Sequence, residues 1–497
     1  MPAAHELISP ADLDAGLIRK VAAGGRIGIG AELIAAVDAS CDAARRVLAQ
    51  GRPVYGVNTG MGALSGVRLT EAEQAGHQRN LLLGRAAGGP PWLPAREVRA
   101  LFAVRLRTFL SGDAGVSALL CQRLADFLSA DLVPAVPAQA AGTAGEILAL
   151  AHAFGPLAGI GRVLTPGAAA TGADETEPAG LALARSGLPE LVLGPKEGIA
   201  LLAGVPGATA LSLLAAAEAT DLLAMMEATA ALAIAVIGAP ADPYQAACAR
   251  GDEVLGRELA RLRAGVGSPA DPPRMLQAPV SFRVAGPVLA QVARAAAALD
   301  GAVERALAGV TDSPAFLDGQ FLGTAGFDGI DLAAHCDQLI AALAHAAEVG
   351  AARTHRLLDP RVTGLAAQLA ARPGPDAGLV TVHKRAAGEV HALRRLAVPS
   401  AVGTIETSGG QEDVQSFAWA AAMTLRAALR HARLVTACEL LTAWQAAALA
   451  AAAGQPRIAP GGAANLIAAV SGQVDPIAAD RPLGPDIERL ANGAMFS

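Results

Sequence analysis

Residues 53–66 read PVYGVNTGMGALSG, a stretch in which glycines punctuate a short loop around Tyr55. Glycine reaches backbone conformations that other residues rarely adopt, so this spacing predicts a tightly turned loop. Tyr55 is one of only two tyrosines in the chain, the other being Tyr244. The rarity of tyrosine makes its presence on this loop informative about function.

The composition of the whole chain favours a large helical protein. It has 497 residues, of which 53% are hydrophobic, 17% charged and 3% aromatic. That balance provides a sizeable core, and many alanines with few aromatic residues favour helices over sheets. The formal net charge of −6, without a run of lysines, gives no electrostatic reason to bind nucleic acid.

The cysteines and the apolar stretches predict a cytoplasmic protein without a membrane span. The cysteines are odd in number and lack CxxC spacing, which predicts reduced, buried thiols: Cys41, Cys121, Cys248, Cys336 and Cys438. The N-terminal stretch does not resemble a signal peptide. In the most apolar region, acidic residues up to Glu227 leave a clean run shorter than the ~20 residues that a span needs.

The order of helical and loop-rich stretches predicts an all-α protein forming one continuous structural unit. Residues 1–195 read as a loop-rich helical region, and residues 196–497 as a bundle of long helices. The expected long helices occupy roughly residues 196–238, 287–310, 330–353, 377–395 and 411–452. A further helix after Glu146 is expected to be interrupted at Gly155-Pro156.

The Tyr55 loop resembles the YGVNTGFG loop of the aromatic amino acid ammonia-lyase and aminomutase family, which includes histidine, phenylalanine and tyrosine lyases. Six further stretches resemble family motifs in the same order: QRNLLLGRAAG (78–88), VRLRTFLSGDAGVS (104–117), KEGIALLAG (196–204), QAPVSFR (277–283), TDSP (311–314) and TSGGQEDVQS (407–416). The resemblance implies a fumarase/aspartase-like lyase fold with a long central helix bundle. It also implies a homotetramer in which each active site takes residues from more than one chain.

The family's electrophile is a methylidene-imidazolone (MIO) ring, made by cyclisation and dehydration of an internal Ala-Ser-Gly. The matching residues here are Thr143, Ala144 and Gly145. The methylidene group arises by loss of the serine hydroxyl, and Ala144 has none to lose. We therefore expect no MIO cofactor and an unmodified loop. Thr143 and Glu146 instead fit a capping box at the start of a helix.

By resemblance, residues of the Tyr55 loop act directly on the substrate. Tyr55 matches a mobile-loop tyrosine credited with proton transfer at the substrate's β-carbon, which predicts an acid/base role. Asn58 and Gly62 of the same loop are assigned to substrate binding. The alternative for Tyr55 is a side chain that packs the loop and hydrogen-bonds to backbone.

Three residues from later motifs complete the expected site. Arg283 matches the arginine that grips the substrate carboxylate, a task suited to the two parallel donors of a guanidinium. Gln411 and Glu412 match the QED segment and are expected to be catalytic. The alternatives are an ordinary ion pair for Arg283 and, for Glu412, pairing with a nearby cation.

Arg85 replaces a family histidine that helps to select the substrate ring. An arginine at this position favours a second negative charge or a carbonyl on the substrate, so we expect a small carboxylate, including acidic and dicarboxylate compounds. The alternative for Arg85 is a solvated surface arginine. Arg79 and Arg107 are expected to add to the positive electrostatic field that Arg85 creates at the substrate. Other family residues are also replaced, and they are found here as Ala203, Ala278, Val280 and Val414.

Three functions remain open from the sequence. The first is an MIO-independent enzyme that performs elimination, addition, or a hydrolytic or cyclising step. The second is a non-catalytic binding or partner protein on the lyase scaffold. The third is a conventional ammonia-lyase in which Ala144 is an engineered replacement. No metal is expected, because His383 and His391 lack an obvious third ligand.

The mass of the intact chain tests the loss of MIO chemistry. Ring formation expels two waters and creates a near-ultraviolet absorption, so the chain should instead show the mass of its unmodified sequence and no such band. A mass lower by two waters would contradict the expectation.

Overall fold

The fold is mainly helical, as the sequence predicts, in a computed structural model that describes residues 5–268, 272–455, 458 and 462–493. The helices, in chain order, are α1 (Ala15–Ala22), α2 (Ala31–Leu48), α3 (Glu71–Leu83), α4 (Ala95–Leu110), α5 (Ala118–Ser129), α6 (Ile147–Phe154), α7 (Pro166–Thr171), α8 (Ala179–Arg185), α9 (Glu197–Leu202), α10 (Pro206–Ile237), α11 (Glu253–Val266), α12 (Val280–Arg283), α13 (Ala285–Ala308), α14 (Ile330–Leu357), α15 (Pro360–Thr363), α16 (Val380–Leu396), α17 (Ala418–Ala452), α18 (Gly462–Ser471) and α19 (Gly484–Asn492).

The strands are short and pair only in twos within the described residues. They are β1 (His5–Leu7), β2 (Ile27–Ile29), β3 (Arg162–Leu164), β4 (Thr176–Pro178), β5 (Ala315–Leu317) and β6 (Gln320–Leu322). The β1–β2 pair is parallel, whereas β3–β4 and β5–β6 are antiparallel. Sheets this small contribute little to the core, which is built from helices.

The chain divides into two compact units. The first contains residues 1–214, 300–336 and 399–423, and the second contains residues 215–299, 337–398 and 424–497. Each unit is assembled from three segments, so neither is continuous in sequence. The division into residues 1–195 and 196–497 stays a prediction.

Two of the expected long helices begin later than the sequence predicts. The helix expected from residue 196 is broken, because Ala203 is extended and Gly204 has a φ of +82°. A side chain at residue 204 would also approach the carbonyl oxygen of Thr311 within 3.0 Å. The helix expected from residue 411 begins at Ala418, after Phe417 with a φ of +54°. The expected interruption after α6 is confirmed, since a 3₁₀ turn spans Gly155–Ala158.

Two helical segments are long and apolar enough to cross a membrane, which the sequence reading did not expect. They are Glu197–Ile237 and Ala418–Ala452. The most apolar part of each is 94% and 83% buried inside the protein, respectively. Buried core helices satisfy the same length and composition criteria, so the finding is weak evidence for a membrane span.

In the first unit, a buried ion pair joins two of the sequence motifs. Lys196 Nζ of KEGIALLAG donates to Asp312 Oδ2 of TDSP at 2.8 Å, and both side chains are almost fully buried. Burial lowers the pKa of Lys196 and raises the pKa of Asp312, while each partner's charge opposes the effect. Removing one partner would leave an uncompensated buried charge, which explains why both motifs are needed together.

In the second unit, two carboxyl groups meet between α10 and α11. Arg261 Nη1 donates to Glu227 Oε1 at 2.9 Å and to Glu258 Oε1 at 3.0 Å. Burial, together with the hydrogen bond and negative charge of Glu258, raises the pKa of Glu227 to about 8, although Arg261 opposes these effects. The pair therefore holds a proton at neutral pH.

Glu227→Gln should raise the thermal stability of the protein at pH 9. The unfolded chain releases this proton near its ordinary pKa of 4.5 while the folded chain keeps it to about pH 8, so stability is lost as the pH rises through that range. The neutral amide of glutamine does not lose this stability. The melting temperature at pH 9 should therefore rise by roughly 2–4 °C for each kcal/mol of repulsion removed. Unfolding followed by circular dichroism at pH 5 and pH 9 measures the difference, which should shrink at pH 5. An equal effect at both values would contradict the shared proton.

Candidate active site

The main candidate site is a cavity of about 260 Å³ in the first unit. Its walls combine backbone and apolar side chains with a phenol, a carboxylate and an amide. The lining residues are Tyr55, Met61, Ala144, Gly145, Ile147, Ile199, Leu202, Ala203, Gly204, Ser313, Phe327, Gln411 and Glu412. The cavity therefore brings together the Tyr55 loop, the Thr143-Ala144-Gly145 loop and the QED segment.

Hydrogen bonds within the Tyr55 loop fix its shape. The Gly62 N–H donates to Tyr55 Oη at 2.8 Å. Asn58 Oδ1 accepts from the Val54 N–H at 2.8 Å, and Asn58 Nδ2 donates to the Arg52 carbonyl at 2.8 Å. Asn58 and Gly62, which the sequence assigns to substrate binding, thus shape the loop that presents Tyr55 to the cavity.

A buried glutamine anchors this loop to the rest of the unit. Gln78 Nε2 donates to the Gly56 carbonyl, and Gln78 Oε1 accepts from the Ile199 N–H, both at 3.0 Å. The side chain is 2% exposed. Gln78 belongs to the QRNLLLGRAAG motif, so that motif positions the tyrosine even though its glutamine does not line the cavity.

The predicted capping box at Thr143 is wrong. Thr143 Oγ1 donates to the Gly145 carbonyl at 3.1 Å, and α6 begins at Ile147 with Glu146 as its N-cap residue. The carboxylate of Glu146 turns away and accepts from N–H groups at the start of α10, at Gly207 with 2.7 Å and at Ala208. A better partner on a neighbouring helix therefore replaces the local cap.

Glu412 is held against the Thr143-Ala144-Gly145 loop. Its Oε2 accepts from the Ala144 N–H at 2.7 Å, and its Oε1 accepts from Ser408 Oγ at 2.9 Å. Thr407 Oγ1 approaches Oε2 at 3.4 Å. Glu412 is only half-buried, and the described residues provide no ion pair for it, so hydrogen bonds rather than a cation hold it. Gln411 lines the cavity beside it and is exposed.

Arg85 is electrostatically coupled to the site. Its guanidinium is half-buried and donates to the Leu81 carbonyl at 3.3 Å. Burial lowers the pKa of Arg85, and the charges of Tyr55 and Glu412 act in the opposite direction. In the described part of the chain Arg85 forms no ion pair. Arg85 is not among the residues that line the cavity, but it interacts electrostatically with Tyr55 and Glu412, which do, and a half-buried cation without a carboxylate partner suits an anionic ligand.

The other arginines from the sequence analysis lie elsewhere. Arg283 belongs to the second unit, at the end of α12, and Nη1 donates to Gln277 Oε1 at 3.2 Å. Arg107 donates to the backbone carbonyls of residues 10, 11, 13 and 307, none of which lines the cavity. Arg79 is exposed on α3.

A buried arginine that the sequence analysis did not assign lies behind the cavity wall. Arg105 is fully buried between the rings of Phe109 and Phe154 and donates to the carbonyl of Ala203, a lining residue. Burial lowers the pKa of Arg105 to about 10, which Asp312 and Glu146 oppose. In the sequence, only its position in the VRLRTFLSGDAGVS motif points to Arg105. Its role becomes visible in its contacts with residues that are distant in sequence.

Known proteins resemble this chain over most of its length. The sequence profile of the aromatic amino acid lyases matches residues 13–471. Histidine ammonia-lyase of Symbiobacterium thermophilum is 33% identical over 481 residues, which cover 94% of this chain and 92% of that enzyme. The protein belongs to the aromatic amino acid lyase family.

Solved structures extend the match to the lyase fold. Tyrosine aminomutase from Streptomyces globisporus has a TM-score of 0.89 and 25% identity, covering 98% of this chain and 96% of that one. The ergothioneine-degrading enzyme ergothionase from Treponema denticola has a TM-score of 0.89 and 24% identity, covering 98% of both chains. The similarity to ergothionase, at 24% identity, shows a shared fold alone.

The residues of this family member do not fit the precursor of the family's MIO ring. Ala144 carries a methyl group where dehydration requires a hydroxyl, and its backbone N–H is bonded to Glu412. Among the described residues there is also no group of three or more histidine, cysteine, aspartate or glutamate side chains that could hold a metal ion.

Proposed function

We propose that the protein is a lyase that works without MIO on a small carboxylate-bearing substrate. The observation that carries the proposal is the meeting of Tyr55 and Glu412 at one cavity, beside the charge of Arg85, over a loop that lacks the MIO precursor. A binding protein that only keeps the scaffold has no physical need of this combination. The proposed reaction is elimination or its reverse, addition.

Tyr55 is the proposed acid/base. The Gly62 N–H donates to its phenol oxygen at 2.8 Å and so holds the hydroxyl at the cavity that Tyr55 lines. In the eliminating direction the phenolate takes a proton from the substrate carbon next to the one bearing the leaving group. The electrons of the broken C–H bond form the double bond, and the leaving group departs with its own electron pair.

Because the loop lacks the MIO precursor, the proposed mechanism restricts which leaving groups the substrate can carry. In the proposed reaction the leaving group departs without first bonding to an electrophile, so it must be better than ammonia. A fully substituted, permanently cationic nitrogen meets this requirement, because it leaves as a neutral amine. Glu412, which faces the cavity, would hold such a cation before it leaves.

Arg85 is the proposed binding residue for an acidic group at the far end of the substrate. Its guanidinium has donors beyond the one directed to Leu81, and a carboxylate accepts two of them in parallel. Acidic amides and dicarboxylates therefore head the panel of ligands. Histidine and ergothioneine join it because the relatives' names include them.

Assembly and location follow from the family and remain proposals. We propose a cytoplasmic homotetramer in which Arg283 of one subunit serves the cavity of another. The hydrogen bond from Arg283 to Gln277 leaves donors of the guanidinium for a substrate carboxylate. None of the five cysteines forms a disulfide within the described residues, which suits a reducing compartment, and four are buried as predicted, whereas Cys248 is exposed.

Tyr55→Phe should lower the turnover of any substrate found in the panel by roughly 10²–10⁴-fold, because it removes the acid/base. The matched control is Tyr244→Phe, the other tyrosine of the chain. Tyr244 Oη donates to the Phe282 carbonyl at 3.0 Å and is buried, so its loss should reduce stability and leave turnover intact. Steady-state kinetics and thermal unfolding separate the two effects. Unchanged turnover in Tyr55→Phe removes Tyr55 from the mechanism.

Arg85→Met should weaken the binding of dicarboxylates about tenfold or more, since a hydrogen bond to a charged group contributes roughly 1.5–3 kcal/mol. Arg79→Met, which removes an exposed arginine from the preceding helix α3, is the matched control and should leave binding unchanged. Calorimetric titration of both variants with one dicarboxylate and one monocarboxylate measures the effect. Equal weakening by the two variants would point to general attraction and not to a specific contact.

A further inference from the structure

Glu146 connects the starts of two helices. Its backbone carbonyl accepts from the Leu150 N–H, so it begins α6, while its side chain leaves the cavity side and is 1% exposed. The two residues on either side of it in sequence, Gly145 and Ile147, both line the cavity. Glu146 therefore lies in the chain between two residues of the cavity wall.

The carboxylate of Glu146 completes the first turn of α10. A helix leaves its first N–H groups without internal partners, and α10 starts with Pro206, which has no N–H to satisfy. The next two donors, on Gly207 and Ala208, bind the two oxygens of Glu146. The following N–H, of Thr209, bonds to the Val205 carbonyl at 3.0 Å. One carboxylate thus satisfies every free donor of this turn.

The space for the carboxylate depends on a glycine and a fixed tryptophan. A Cβ at residue 207 would lie 2.2 Å from the ring of Trp419 and 2.8 Å from Glu146 Oε2, so only glycine permits this approach. The Trp419 ring is held by a hydrogen bond from its Nε1 to the Ala138 carbonyl at 2.9 Å. The carboxylate is therefore enclosed and cannot shift without disturbing its neighbours.

We propose that Glu146 is a positioning residue, which holds the Thr143-Ala144-Gly145 loop in place by capping α10 from outside that helix. The cap fixes the direction of the Ala144 N–H, and that N–H in turn binds Glu412. The effect on catalysis rests on the proposed function, whereas the effect on the loop does not.

The charges around Glu146 make its hold on the loop depend on pH. Arg105 is the charged side chain that acts on it, and Arg105 also faces Asp312, the partner of Lys196. Burial raises the pKa of Glu146 to about 7, against the opposing effects of the two backbone N–H groups and Arg105. Since an opened loop would expose the carboxyl at its ordinary pKa of 4.5, the closed position loses stability as the pH rises from there to about 7.

Hydrogen exchange of the Ala144 amide tests the proposal on the whole protein without a substrate. After correction for the intrinsic exchange rate, its protection in the wild type should fall as the pH rises from 5 to 7 and then level off. In Glu146→Gln, whose amide has one acceptor oxygen for two donors, protection should be roughly tenfold lower at pH 5 and independent of pH. Asp252→Asn, a similar change at the start of α11, should leave this amide unaffected.

Kinetics give the second readout. Glu146→Gln should lower kcat by about tenfold with a smaller change in KM, because Glu146 orients the site without touching the cavity. If Glu146→Gln changes the protection of the Ala144 amide but the wild type turns over no compound in the panel, the proposed function is wrong and the positioning role stands. Protection and kcat that match the wild type would overturn the positioning role. If Glu146→Gln does not fold, Glu146→Asp takes its place, and an Ala144 amide as protected in that shorter carboxylate as in the wild type overturns the positioning role.

Discussion

The cavity depends on the way a long helix is capped. The 32-residue helix α10 begins inside the first unit, where water cannot satisfy its first N–H groups, and Glu146 supplies the missing acceptors from a neighbouring loop. Without this contact, a buried helix end and a buried carboxylate would both lack partners, and each would cost free energy. The loop beside the cavity is the segment that brings the carboxylate to the helix, so helix and cavity wall are fixed together.

The site keeps its framework although the residues that would form the family's electrophile are changed. Gln78 ties the Tyr55 loop to α9, the Lys196–Asp312 pair closes the interior, and Arg105 supports the carbonyl of Ala203. These contacts are made by side chains of the family motifs and not by the middle residue of the Ala-Ser-Gly precursor. This is why the sequence can retain the motifs while residue 144 and its surroundings diverge.

The sequence predicts structural features that neighbouring residues determine, and it misses those that depend on contacts between residues far apart in sequence. Helix content, the break at Gly155-Pro156 and the family follow from composition and ordered motifs. The start of α10 was missed because a left-handed Gly204 inside an apolar run leaves no strong mark in a helical pattern. Thr143 and Glu146 have the spacing of a capping box, but the pattern cannot reveal a second helix that competes for the same carboxylate. For the site, the motifs identify Tyr55 and Glu412, whereas the support given by Gln78 and Arg105 appears only in three dimensions.

The cap from Glu146 also bears on how such an enzyme can change its chemistry over evolutionary time. In a protein whose reactive group is made from its own backbone, the covalent ring would also restrict the conformation of the loop that bears it. Here the carboxylate of Glu146, in the space left by Gly207, also ties that loop to α10. A lineage with this arrangement can discard its electrophile in a single substitution and still inherit a shaped, charged cavity, on which selection for a different leaving group can act.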